Sequence, residues 1–181
     1  MLKDLLDRHA LFFFACVSAV VLYTTYPASS QDINFSSSPI ISGESCVIEL
    51  VQEGIFGVSA NERTLNSQNF GGVGAQILVT SRKRGAGDSP GPRFAITLEP
   101  PTAFTTAPPG GDDNVTWRTR FSGVSVLNGV NFNNRNGLNP RRLPRRGTSV
   151  TQITGHLRAR KPAGDAFPPG NYRAEAVFRC E

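Results

Sequence analysis

The chain has 181 residues, enough for one domain with a core of its own. It carries 19 Lys and Arg against 14 Asp and Glu, a formal net charge of +5 that suits contact with anionic surfaces. One of its three cysteines lies inside an N-terminal apolar run, and the two that remain are too few for a cysteine metal site.

Residues 1–30 read as a secretory signal peptide. A short charged head holds Lys3 and Arg8, and an apolar run of fourteen residues follows at 10–23. The polar segment 24–30 then carries Ala28 and Ser30 at the small-residue spacing of a cleavage site. Cleavage is expected between Ser30 and Gln31. An uncleaved anchor is the alternative, but fourteen residues fall short of the roughly twenty that cross a bilayer. Without Lys3, Asp4, Asp7 and Arg8, the mature chain keeps seventeen cations, fifteen of them Arg, against twelve acids. Export makes nucleic acid a poor partner for that charge.

Residues 31–45 form a Ser-rich leader in which Ile33, Phe35 and Ile41 share one parity with Ser37 and Pro39. The leader reads either as a flexible N-terminus or as a donor strand that pairs with another subunit. Pro39 would confine such a strand to an edge. The folded domain is expected to span 46–181. Residues 46–52 alternate, with Cys46, Ile48 and Leu50 on one face and Val47, Glu49 and Val51 on the other, the period of a β-strand. Residues 55–58 are read as a continuation of that edge after a bulge at Gly54.

Further strands are expected at 75–80, 93–99, 115–121, 123–127 and 149–160. The intervening 71–74, 81–92, 107–113 and 128–147, rich in Gly, Pro, Asn and Arg, are read as turns and loops. Within 115–121, Val115, Trp117 and Phe121 point inward while Thr116, Arg118 and Arg120 point outward; the single Trp is the expected core anchor. A Pro168-Pro169-Gly170 turn precedes the last strand, which places Tyr172, Ala174, Ala176, Phe178 and Cys180 on one face. No segment beyond the signal has the period of an amphipathic helix. Six or seven short strands between turn signals predict an all-β, immunoglobulin-like β-sandwich.

Cys46 opens the first strand of that domain and Cys180 closes the last, both with inward parity. An even pair in an exported chain predicts a disulfide. If the two strands run antiparallel, those ends lie together and the bridge ties the domain's extremities.

The chemistry of catalysis is sparse. His156 shares the parity of Gln152 and Thr154, the outer face of its strand, and a lone exposed His is a poor base or ligand. Nucleophile elbow, paired metal-binding histidines and phosphate loop are all missing from the sequence. Asp112 and Asp113, adjacent in a loop, are weak evidence for a cation site. No enzyme activity and no cofactor are expected. The loop 139–146 packs Arg141, Arg142, Arg145 and Arg146 together. It reads as a solvated, protease-sensitive loop or as a site for anionic glycan or phosphate, which Arg forks recognise.

Cys46, Ile48 and Leu50 with Gly57-Val58-Ser59 downstream, and the ending Phe167-Pro168-Pro169-Gly170-Asn171-Tyr172 with Val177-Phe178-Arg179-Cys180, resemble the two ends of spore coat protein U-like and related fimbrial-subunit-like domains of exported bacterial proteins. The resemblance implies a pilin-like sandwich in the periplasm, on the cell surface or outside the cell. It also implies a structural or adhesive subunit that pairs strands with its own or other subunits, helped by a periplasmic chaperone and an outer-membrane usher. Many of those domains tie two early strands by their disulfide, whereas this chain would tie the first to the last. Strands pair about 4.8 Å apart, so a bridge between neighbours in one sheet leaves no space there for a guest strand; a bridge between sheets leaves the groove open.

Overall fold

A computed structural model describes residues 44–83 and 93–181. Residues 1–43, which include the expected signal peptide and the expected leader with Ile33, Phe35 and Ile41, and residues 84–92 lie outside the described residues. Ten strands and no helix occur among the described residues: β1 (Ser45–Gln52), β2 (Gly57–Val58), β3 (Thr64–Asn66), β4 (Ala75–Lys83), β5 (Ala95–Glu99), β6 (Thr116–Leu127), β7 (Phe132–Asn136), β8 (Arg141–Arg142), β9 (Gly147–Arg160) and β10 (Val177–Cys180).

They form a β-sandwich of one seven-stranded and one three-stranded sheet, and every strand pair is antiparallel. β9 is the axis of the large sheet. Along one of its edges β4 pairs from Ala75↔Gly155 to Lys83↔Gly147, and β3 follows with Thr64↔Arg160. β6 fills the other edge, from Thr116↔Arg160 to Leu127↔Val150. β1, β2 and β7 flank β4, β3 and β6 in turn. The small sheet runs β10-β5-β8.

The burial of β9 alternates strictly, with Ser149, Thr151, Ile153, Gly155, Leu157 and Ala159 inside. Period-two burial is what a strand covered on one face produces. Ile77, Val79 and Phe121 face the same interior and meet Ile96, Leu98 and Phe178 of the small sheet, all essentially inaccessible. Gly155 permits the close approach: a Cβ there would lie 2.8 Å from Cζ of Phe178. The two sheets also share a hydrogen bond, since the Thr119 hydroxyl of β6 donates to the Leu98 carbonyl of β5 at 2.8 Å. Inside the large sheet the buried hydroxyls of Ser81 and Ser149 bond each other at 2.7 Å. Both arrangements satisfy polar groups that burial would otherwise penalise.

One end of the sandwich is closed by aromatic rings. Phe104 lies edge-on to Trp117, Tyr172 and Phe167, with centroids 4.6, 5.0 and 6.1 Å away. The Tyr172 hydroxyl donates to the Pro168 carbonyl at 2.6 Å, and burial pushes its pKa up to about 12. Toward the other end, Cys46 of β1 is bonded to Cys180 of β10, with Cα atoms 6.3 Å apart. The bridge therefore crosses from one sheet to the other and does not join a pair of strands within one ladder.

Several elements differ from the sequence reading. Residues 55–58 do not prolong β1: Ile55 bridges Val73, and Gly57–Val58 pairs with β3. Residues 116–121 and 123–127 belong to one strand, β6, and Val115 precedes it. The loop expected at 128–147 contains β7 and β8. β4 extends through Ser81, Arg82 and Lys83, because Lys83 is buried against the Glu44 carboxylate (3.2 Å) and the Phe94 ring (4.6 Å to the centroid). Residues 172–176 keep the expected inward set of Tyr172, Ala174 and Ala176 but lie outside any strand.

The bridge spans 134 residues of sequence. Replacing Cys46 and Cys180 with Ser is expected to cost roughly 4–5 kcal/mol by loop-closure entropy. A fall in the urea midpoint, with a steeper slope because the unbridged unfolded chain exposes more surface, measures it.

Candidate functional site

The sheet edges are not alike. β2 and β8 have two residues each, too short to template another strand. β7 reads Phe-Asn-Asn-Arg-Asn and exposes its last four residues, all polar. β10 has four residues and carries Arg179, whose Nε lies 2.7 Å from Glu99. β1 has eight residues, and among the described residues β4 is its only ladder partner. It carries no Lys, Arg or Pro, and of the features that guard natural edges it has one charge, Glu49, and the irregularity between Leu50 and Gln52.

The apolar side chains of β1 are unusually open. On its interior parity, exposure rises along the strand: Cys46 is 6 % exposed, Ile48 is half-buried, and Leu50 is 41 % exposed. Yet Leu50 lies opposite Ile77, which is fully buried. Val47 and Val51 are 44 % and 58 % exposed, and the register shifts at Val51, between Leu50 and Gln52.

The four arginines of the basic loop are separated by their surroundings. Arg141 is half-buried, with its guanidinium 5.4 Å from the Phe132 ring centre and one NH2 donating to the Asn131 carbonyl at 3.4 Å. Arg142, Arg145 and Arg146 are exposed. Leu143 between them is buried and its backbone N–H donates to the Phe94 carbonyl at 2.7 Å. The segment is thus anchored at its centre. A shallow hollow of about 350 Å³ lies against it, bordered by Arg93, Val130, Arg141 and Arg142.

The titratable residues have local partners. Asp112 accepts the Phe104 backbone N–H at 3.2 Å, which holds the aromatic cluster's loop. His156 is on the outer face of β9 but half-buried, with Nδ1 3.1 Å from the Ser67 hydroxyl and Arg120 directly opposite on β6. Burial lowers its pKa below the ordinary 6.5. Among the described residues, no group of three or more His, Cys, Asp or Glu is placed to hold a metal ion.

No protein-family model, no curated protein and no solved structure matches this chain.

The His156 shift gives a sign to the pH dependence of stability. Unfolded His156 takes a proton near the ordinary 6.5 and the folded residue does so at lower pH. Between those values the unfolded state binds more protons, so stability falls as pH drops through the window. His156→Gln is expected to flatten that part of the profile, read as urea midpoints at steps between pH 5 and 7.5.

Proposed function

We propose that the chain is an exported structural subunit of a surface assembly, and that neighbours join by adding a strand to the free edge of β1. The exposure of Leu50 carries this reading. A residue of interior parity that faces solvent on an eight-residue edge is what a further strand would cover. The Cys46–Cys180 bridge fits an oxidising compartment outside the cytosol. Because it ties β1 to the other sheet, it leaves the lateral hydrogen-bonding edge of β1 unobstructed.

The occupant we assign is the leader of a second copy, with Ile33, Phe35 and Ile41 as its alternating side chains. At Glu44 the chain still runs beside β4, since the Glu44 carboxylate sits on Lys83 one residue beyond the Ser45↔Arg82 pair. Residues 31–43, if extended, reach roughly 43 Å at about 3.3 Å per residue, against roughly 26 Å for the eight residues of β1. The leader is long enough to lie along a neighbour's edge with residues to spare.

Size exclusion with light scattering on the mature chain 31–181 tests this. Concentration-dependent oligomers are expected, and loss of residues 31–43 should leave a monomer. Leu50→Lys, at a position open enough to keep the fold, should also abolish association. A full-length monomer, or oligomers indifferent to Leu50→Lys, overturns the proposal.

A further inference from the structure

The outer face of the large sheet divides along β9. Toward the disulfide end it carries Val47, Val124 and Val126, all exposed. Toward the aromatic end the register gathers cations from distant parts of the sequence. Arg118 lies directly opposite Arg158, Arg120 opposite His156, and Thr116 opposite Arg160, all on outward positions of β6 and β9. Side chains directly across an antiparallel pair are close neighbours, and like charges there destabilise the sheet. No carboxylate pairs with Arg118, Arg120, Arg158 or Arg160 among the described residues. β3 sets only Asn66 and Thr64 beside Arg158 and Arg160 on the other flank.

A fifth cation completes the set. Lys161 follows β9 directly and is 4 % exposed. Its ammonium donates to the carbonyls of Gly110 and Asp113 at 2.6 and 2.9 Å, and sits 5.5 Å from the centre of the Phe167 ring. Carbonyls and a ring satisfy the ammonium without neutralising it, so its field stays available beside the arginines. Two clefts meet at this place. One, of about 330 Å³, is lined by Asn114, Thr116, Arg118, Arg158, Arg160 and Lys161. The other, of about 130 Å³, lies on the side of Arg120 and His156. Arg118 and Arg158 line both, and no described carboxylate or aromatic ring lines the larger. The buried Nε of Arg158 has no hydrogen-bond partner among the described residues.

We infer that this cleft binds a compact polyanion bearing two or more phosphate groups, with Arg118 and Arg158 as the central pair of forks. An anion between them turns a repulsive cross-strand pair into a bridged one. Arginine forks match phosphate oxygens two at a time, and Asn114 and Thr116 add neutral donors. The volume fits a small ligand, and the absence of a lining ring removes the stacking platform that single-stranded nucleic acid uses. The site is separate from the loop of Arg141, Arg142, Arg145 and Arg146, and it does not depend on strand addition at β1.

Calorimetric titration of the mature chain 31–181 at low ionic strength tests the inference. The probes are tripolyphosphate, a glucosamine disaccharide carrying two phosphates, inorganic phosphate, and a short DNA duplex. Saturable binding of either polyphosphorylated probe, far tighter than inorganic phosphate, is expected. Preference for the disaccharide assigns the site to a phosphorylated glycan, and preference for tripolyphosphate to a free polyphosphate. The double variant Arg118→Gln, Arg158→Gln should weaken binding at least tenfold, since one charge-assisted contact is worth about that much. Its melting temperature without ligand should be unchanged or raised, because the repulsive pair is gone. Arg118→Lys with Arg158→Lys should give intermediate affinity, charge without the fork. Arg145→Gln with Arg146→Gln should bind as the wild type does. Equal loss in the loop variant, unchanged affinity in the Arg118/Arg158 variant, no binding of either polyphosphorylated probe, or preference for the duplex overturns it.

Discussion

β9 is the constraint on which the rest of the molecule depends. This fourteen-residue strand has partners along both edges, and its inward Ile153, Leu157 and Ala159 lie at the centre of the large sheet's share of the core. Because the side-chain period is two, shifting any partner by one residue would turn its apolar set to solvent. The pairing of Ile77 with Ile153 and of Phe121 with Gly155 therefore fixes which side chains of β4 and β6 are inside. It also fixes what is outside. The Arg118–Arg158 juxtaposition is a consequence of the same ladder that buries Leu157 and Ala159.

The two ends of the sandwich are secured by different physics. At the Cys46–Cys180 end the first and last of the described strands are joined covalently across the sheets. At the other, Phe104 and its ring neighbours shut the interior, and loops replace strands. The two surface features follow this division. The free edge belongs to β1, which the covalent end ties down while its far half stays open. The cationic clefts lie on the outer face above the aromatic end, where β6 starts and β9 finishes.

Long alternating segments made the all-β fold readable before any coordinates. Phe94, Ile96 and Leu98, or Tyr172, Ala174, Ala176 and Phe178, follow a period that few other structures produce, and each of these residues is buried. β2, β3 and β8 were not readable, because two or three residues cannot show a period. β6 looked like two strands because Gly123 interrupts its apolar pattern; the ring of Phe132 fills the space a side chain would take there. The end of β4 resembles a loop in sequence because Gly and Pro follow closely on Arg82 and Lys83, and a pair with Glu44 lets Lys83 be interior. The densest run of arginines in the sequence is at 139–146, whereas Arg118, Arg158 and Arg160 line one cleft. Forty residues of sequence separate Arg118 from Arg158, and only the β6–β9 register makes them neighbours.

Trp117 pairs with Ala159 while Cys46 is reached through Ser81 and Ser149, ten residues back along β9. At about 3.3 Å per residue, the indole and the disulfide are separated by roughly 33 Å of strand. The protein thus carries a native fluorophore at one extremity and a chemically addressable lock at the other. Emission from the lone indole after thiol treatment reports whether loosening at the locked extremity is felt along the whole ladder, so the molecule contains its own gauge of how cooperatively a β-sandwich melts.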